Sequence, residues 1–201
     1  MIPTFHLGNV GFQGARWDSA DDPHWANVVV LLRMEGADGG TTFTDSGPLG
    51  LTMDRTGTHN NSITQVKSGT TSCKCGGTGR LRYLNTAATQ LAGDFTAEGW
   101  VYWDDTPITV SYLFGLKVSS SAGLFRNPFA ATPHALTWRT NGGVETSGST
   151  AITNDVYHHL VAQRSGSTME WGLDGVSQGT VTDSATYSVS GEYTYITGAQ
   201  D

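Results

Sequence analysis

The chain is punctuated at roughly ten-residue spacing: strand-length pieces rich in Val, Thr, Trp and Tyr alternate with breaks of Gly, Pro, Asn or Asp. Helices of ordinary length do not fit between such breaks, but short antiparallel strands do. Strands are expected over residues 28–34, 41–44, 62–66, 72–75, 81–84, 95–103, 111–116, 136–140, 144–146, 157–164, 169–173, 176–181 and 193–196. One short helical turn is expected near residues 85–90. Composition points the same way, with 26 glycines, 28 threonines and 17 serines among 201 residues and only 14% charged residues. Good helix formers are scarce. The fold class is therefore all-β, a two-sheet antiparallel sandwich of jelly-roll type.

Alternation within the strands selects Val29, Leu31, Phe95, Val101, Leu160, Ala162, Trp171 and Leu173 for the core. Asp174–Gly175 and Asn141–Gly142 each suit a two-residue type I′ hairpin, which needs φ > 0 at both central positions. Residues 1–26 read differently. They have glycines at 8, 11 and 14 and no period, so the chain divides into an extended N-terminal arm over 1–26 and a sandwich over 27–201.

The formal charge is −7, and the longest basic feature is the Arg80/Arg82 pair, so the electrostatic footprint of a nucleic-acid binder is missing. The longest apolar run, residues 28–32, is far shorter than the roughly 20 residues that span a bilayer. The first ten residues lack the basic start and apolar stretch of a signal peptide. A protein made in the cytoplasm, without membrane insertion, is expected.

Cys73 and Cys75 are one residue apart. On a strand they point to the same side, where a bridge across i,i+2 would be strained, so two buried reduced thiols are expected. An intermolecular disulfide or a metal site are the other readings, the latter short of further ligands.

Glycosidases need two carboxylates flanking the bond they break. None of the five glutamates, Glu35, Glu98, Glu145, Glu170 and Glu192, has a partner acid two or four residues on in its strand. No glycine-rich phosphate loop lies between a strand and a helix. His158 and His159 are neighbours on a strand, face opposite ways and cannot chelate together. No enzymatic activity is expected, and a glycoside hydrolase is the least favoured of the readings. Along residues 95–103 one parity is core, whereas the other carries Thr96, Glu98, Trp100 and Tyr102. Flat rings beside an acceptor are what a sugar-binding surface uses. Glu98, Trp100 and Tyr102, helped by Trp138, are the candidate glycan site; the competing reading is packing beneath a covering loop.

Five segments occur in a familiar order: VVVLLRMEG at 28–36, TTFTDS at 41–46, DFTAEGWVY at 94–102, YHHLVAQRSGST at 157–168 and LDGV at 173–176. Together they resemble the concanavalin A-like, laminin G-like jelly-roll domains, in the version carried by bacteriophage structural proteins. Tyr157 stands where that family usually has Trp. The resemblance implies a virion structural protein, tail-associated or a capsid decoration, that displays its sandwich on the particle surface. The expected partners are other virion proteins, copies of itself and host-surface glycans, and an adhesin that binds host glycans is the alternative. No cofactor is required; calcium on loop oxygens, with Asp38, Asp45 and Asp54 as candidates, is the weaker option. In the family pattern the first strand pairs with a last one beyond residue 198, and this chain stops at Asp201. The arm, with Ile2, Phe5, Leu7 and Val10 as its apolar contacts, is then expected to cover the open edge by lying against a neighbouring protein or copy.

Overall fold

The computed structural model describes residues 5–8, 25–76, 79–104, 110–117, 122–132 and 134–199. It contains β1 (Phe5–Gly8), β2 (Asp54–Thr56), β3 (Asn60–Ser62), β4 (Ser72–Cys75), β5 (Arg80–Leu84), β6 (Phe95–Trp103) and β7 (Ser111–Lys117). These are followed by β8 (Ala122–Asn127), β9 (Ala135–Arg139), β10 (Glu145–Ala151), β11 (Tyr157–Ser165), β12 (Thr168–Leu173), β13 (Val176–Thr182) and β14 (Tyr193–Ala199). Helix is confined, among the described residues, to single 3-10 turns at Trp25–Asn27 and Ala87–Thr89. The second of these is the turn expected near residues 85–90.

Two seven-stranded antiparallel sheets form the jelly-roll sandwich. One runs β13-β12-β11-β6-β1-β4-β3, the other β10-β9-β8-β7-β14-β5-β2. Alternation positions the core. On β6, Gly99, Val101 and Trp103 are buried while Glu98 is exposed; on β11, His158, Leu160, Ala162 and Arg164 turn inward. Trp103, Trp138 and Trp171 are fully buried between the sheets. Each such side chain contributes on the order of 3 kcal/mol of burial. Of the expected core residues, Val101, Leu160, Ala162, Trp171 and Leu173 are buried, whereas Val29, Leu31 and Phe95 are half-buried.

Three expectations are corrected. Residues 28–34 form no strand; only Leu32 bridges Asp45. The Asp45 carboxylate takes over the ladder's role, accepting from the backbone N–H of Leu31 and Gly47 through Oδ1 and of Leu51 through Oδ2 at 2.7–2.8 Å. Met34, at φ 54°, turns the chain away. The sheet also needs no further strand after residue 198, because β14 is interior, paired with β7 and β5. Finally, the turn at Asn141–Gly142 is not type I′. Gly143 carries the positive φ, 83°, and its N–H donates to the Thr140 carbonyl, the pattern of a three-residue hairpin loop. Asp174 and Gly175, at φ 52° and 80°, do form the expected turn between β12 and β13.

Strand β1 falls inside the segment read as an arm, yet it pairs within the chain, with Phe5–Gly8 lying between β4 and β6. The four-residue strand therefore belongs to the first sheet. Ile2 and Val10 lie outside the described residues.

Candidate functional site

Period-two alternation sends Glu98, Trp100 and Tyr102 to the outer face of β6, and antiparallel pairing sets β11 beside them. The register places Val161 opposite Glu98, His159 opposite Trp100 and Tyr157 opposite Tyr102. Cross-strand neighbours at these spacings touch. The Trp100 and His159 rings are 5.0 Å apart and tilted by 44°, and those of Tyr102 and Tyr157 are 5.3 Å apart at 56°. His159 Nε2 lies 3.4 Å from Glu98 Oε2. On the other side of β6, β1 sets His6 opposite Tyr102 and Gly8 opposite Trp100.

Loops complete the face. The Lys67 ammonium sits 4.0 Å from the centre of the Trp100 ring and 5.7 Å from that of Tyr157. Tyr102 donates its hydroxyl to Asp155 Oδ1 at 3.3 Å. Desolvation, and then the Asp155 carboxylate, raise the Tyr102 phenol. Burial, with Tyr102 beside it, pushes Tyr157 up to about 12. The result is a half-exposed patch of rings edged by the exposed carboxylates of Glu98 and Asp155, an imidazole and an ammonium. Such a surface can hold a planar apolar face and exchange hydrogen bonds with hydroxyls.

Glu98, Trp100 and Tyr102 are thus brought together, and Trp138 is not. Trp138 is fully buried on β9 in the other sheet, where its indole Nε1 donates to Asp183 Oδ2 at 3.4 Å and its ring meets Tyr187 edge-on at 5.9 Å. Its strand parity already tells this, since Leu136 and Trp138 alternate with Thr137 and share the core side. Lys67, His159, Tyr157 and Asp155 were not anticipated. For His159 and Tyr157 the signal is the register against β6; Lys67 and Asp155 come from loops with no local pattern.

His158 points inward, as expected of one of the two histidines. Its Nδ1 is 2.6 Å from Asp174 Oδ2, and its Nε2 is 3.1 Å from both the hydroxyl and the carbonyl oxygen of Thr153. Asp174 Oδ1 also accepts from the His159 N–H. This staples the β10–β11 loop to the β12–β13 turn and so fixes the backbone under His159.

The calcium candidates serve other ends. Asp45 is committed to three backbone N–H groups, Asp54 pairs with Arg82 at 2.7 Å, and Asp38 accepts from the Ile63 N–H at 3.3 Å. Among the described residues no group of three or more His, Cys, Asp or Glu gathers to hold a metal ion. Cys73 and Cys75 are free and fully buried, which leaves neither at the surface for an intermolecular disulfide.

No family model matches the chain, and no curated protein does. Among solved structures, LamAcat from Zobellia galactanivorans overlays with a TM-score of 0.40 at 12% identity, covering 100% of this chain and 84% of the other. An overlay that loose leaves chemistry to be argued from the residues themselves.

Proposed function

We propose that the chain is a structural protein of a bacteriophage particle, tail-associated or a capsid decoration, which displays its lectin-like sandwich outward. The support is the ordered set of five sequence segments. Three of them coincide with framework elements: β6, β11 with its following turn, and the β12–β13 turn. Other virion proteins and further copies of the chain are its partners. The test is mass spectrometry of particles purified from cells that make the chain, with immunogold labelling of the intact particles. Labelling at the surface is the expected result, and absence of the protein from purified particles sinks the reading.

A second reading, a host-glycan adhesin, is favoured by one observation: Trp100, His159 and Glu98 share one exposed face with Tyr102 and Lys67. The same module can serve both roles. A glycan array probed with the wild-type chain and with Trp100→Ala separates them. Binding lost with the ring supports the adhesin, and binding by neither protein leaves architecture alone.

A further inference from the structure

Residues 72–75 form β4, and period two turns both thiols of Cys73–Lys74–Cys75 into the space between the sheets. Cys73 Sγ and Cys75 Sγ are 3.3 Å apart and fully buried. Two thiols used only as small apolar groups need no polar company, yet these have it. Buried His59, its Nε2 2.7 Å from Thr197 Oγ1 on β14 of the opposite sheet, stands beside them. The two sulfurs are driven apart in acidity. Burial, then the hydrogen bond to Cys75, hold the Cys73 thiol well above its usual value. Burial opposes ionisation of Cys75 as well, but the Cys73 thiol in contact with it, helped by His59 and Thr197 nearby, outweighs burial and lowers that thiol. Cys75 is thus the sulfur that ionises more readily and Cys73 the one that holds its proton, the asymmetry that dithiol chemistry uses.

We propose that Cys73 and Cys75 are a redox-active dithiol that low-molecular-weight disulfides convert to an intrachain disulfide, and that closing this bond loosens β1. In the first step the Cys75 thiolate attacks one sulfur of the disulfide. A mixed disulfide forms and one thiolate leaves. Cys73 then gives its proton to solvent and attacks Cys75 Sγ, expelling the second thiolate. From the Cys75 thiolate form the protein loses two electrons and one proton, which is two hydrogens counted from the neutral dithiol, and the two expelled thiolates take up that proton and one from solvent.

The mechanical consequence follows from strand geometry. Same-face Cα atoms two residues apart on a strand are about 6.7 Å apart, at the upper limit for a disulfide. The sulfurs must also close from 3.3 Å to about 2.05 Å. The bond therefore draws Cys73 and Cys75 together and puckers β4 at Lys74. Lys74 is the partner of His6 on β1 and of Asn60 on β3, while Cys73 and Cys75 are the partners of Leu7 and Phe5. β3, with three residues and β4 as its one partner strand, and β1, with four residues and β6 on its far side, both lose register. Because the sulfurs are buried, reaction runs through local opening of these short strands.

The test is incubation of the full chain with glutathione disulfide, an acid quench, intact mass measurement and hydrogen exchange on the peptide containing residues 5–8. Loss of two hydrogens, reversed by dithiothreitol, is expected. So are arrest of Cys73→Ser at the mixed disulfide with glutathione, a reaction about tenfold or more slower in Cys75→Ser, and faster exchange of residues 5–8 in the oxidised chain. A bridge that forms only after denaturation overturns the redox assignment without recourse to either variant. A native bridge that leaves exchange of residues 5–8 unchanged overturns the coupling to β1.

Discussion

The Lys67 ammonium lies over the Trp100 indole, 4.0 Å from its centre, so the ring that a sugar would stack on already carries a cation. At an exposed position such a contact is worth about 0.5–1 kcal/mol. A sugar binding there has to displace or share it. Lys67→Ala should therefore tighten binding about two- to fivefold on a glycan array or in titration calorimetry, and Trp100→Ala should abolish it while leaving the melting profile intact. Normal binding by Trp100→Ala removes this face from consideration.

Trp138 should behave in the opposite way. Its truncation to Ala empties a fully buried volume and strips Asp183 of a donor, leaving that carboxylate with Tyr187 and the Ala185 N–H. A loss of about 3–5 kcal/mol in urea denaturation is expected, with ligand affinity unchanged in whatever fraction remains folded. A stable Trp138→Ala protein with weakened binding would restore Trp138 to the site.

These two tryptophans mark what was legible in the sequence. Strands β4 and β6 were read to the residue and β11 to within one, because turn residues frame them and, on β6 and β11, one side faces the core and the other does not. Strand β8 was missed. All six of its residues are buried, Leu124 inward and Phe125 under Tyr112 and Arg139, so alternation is erased. The β-branched run at 28–34 misled for a physical reason: a buried carboxylate from a later loop, Asp45, satisfies backbone groups that a strand partner would otherwise have taken. On the candidate face the β6 residues were visible locally. Their partners were not, since Lys67 and His159 reach Trp100 only through tertiary pairing.

Two glycines with positive φ should respond very differently to a methyl group. At Gly123, φ 143°, an added Cβ would lie 1.9 Å from the Phe114 carbonyl oxygen across the β7–β8 ladder. At Gly143, φ 83°, nothing lies within 4 Å. Gly143→Ala should cost about 1–2 kcal/mol of backbone strain. Gly123→Ala must also move a strand and should exceed about 4 kcal/mol, reading out as insoluble or unfolded protein. Comparable thermal midpoints for the two variants would mean that β7 and β8 are not paired as described.

The Tyr157 hydroxyl is buried without a hydrogen-bond partner among the described residues, and burial pushes its ionisation up to about 12. Both observations concern one atom and give one substitution two signatures. An unsatisfied buried hydroxyl costs about 1–3 kcal/mol, so Tyr157→Phe, which keeps the ring against Tyr102, should be neutral or stabilising near pH 7. The alkaline signature has a definite sign. Below about pH 10 the phenol is protonated in the folded and the unfolded chain alike, and pH has no effect through it. Above that, the unfolded chain releases its proton first, so stability falls as pH rises until the folded phenol titrates near about 12. Tyr187, raised by burial and by its hydrogen bond to Asp183, adds to the same decline. Urea midpoints measured from pH 9 to about 11 should therefore fall in the wild type and fall less steeply in Tyr157→Phe. Parallel slopes in the two proteins would show that the phenol is solvated.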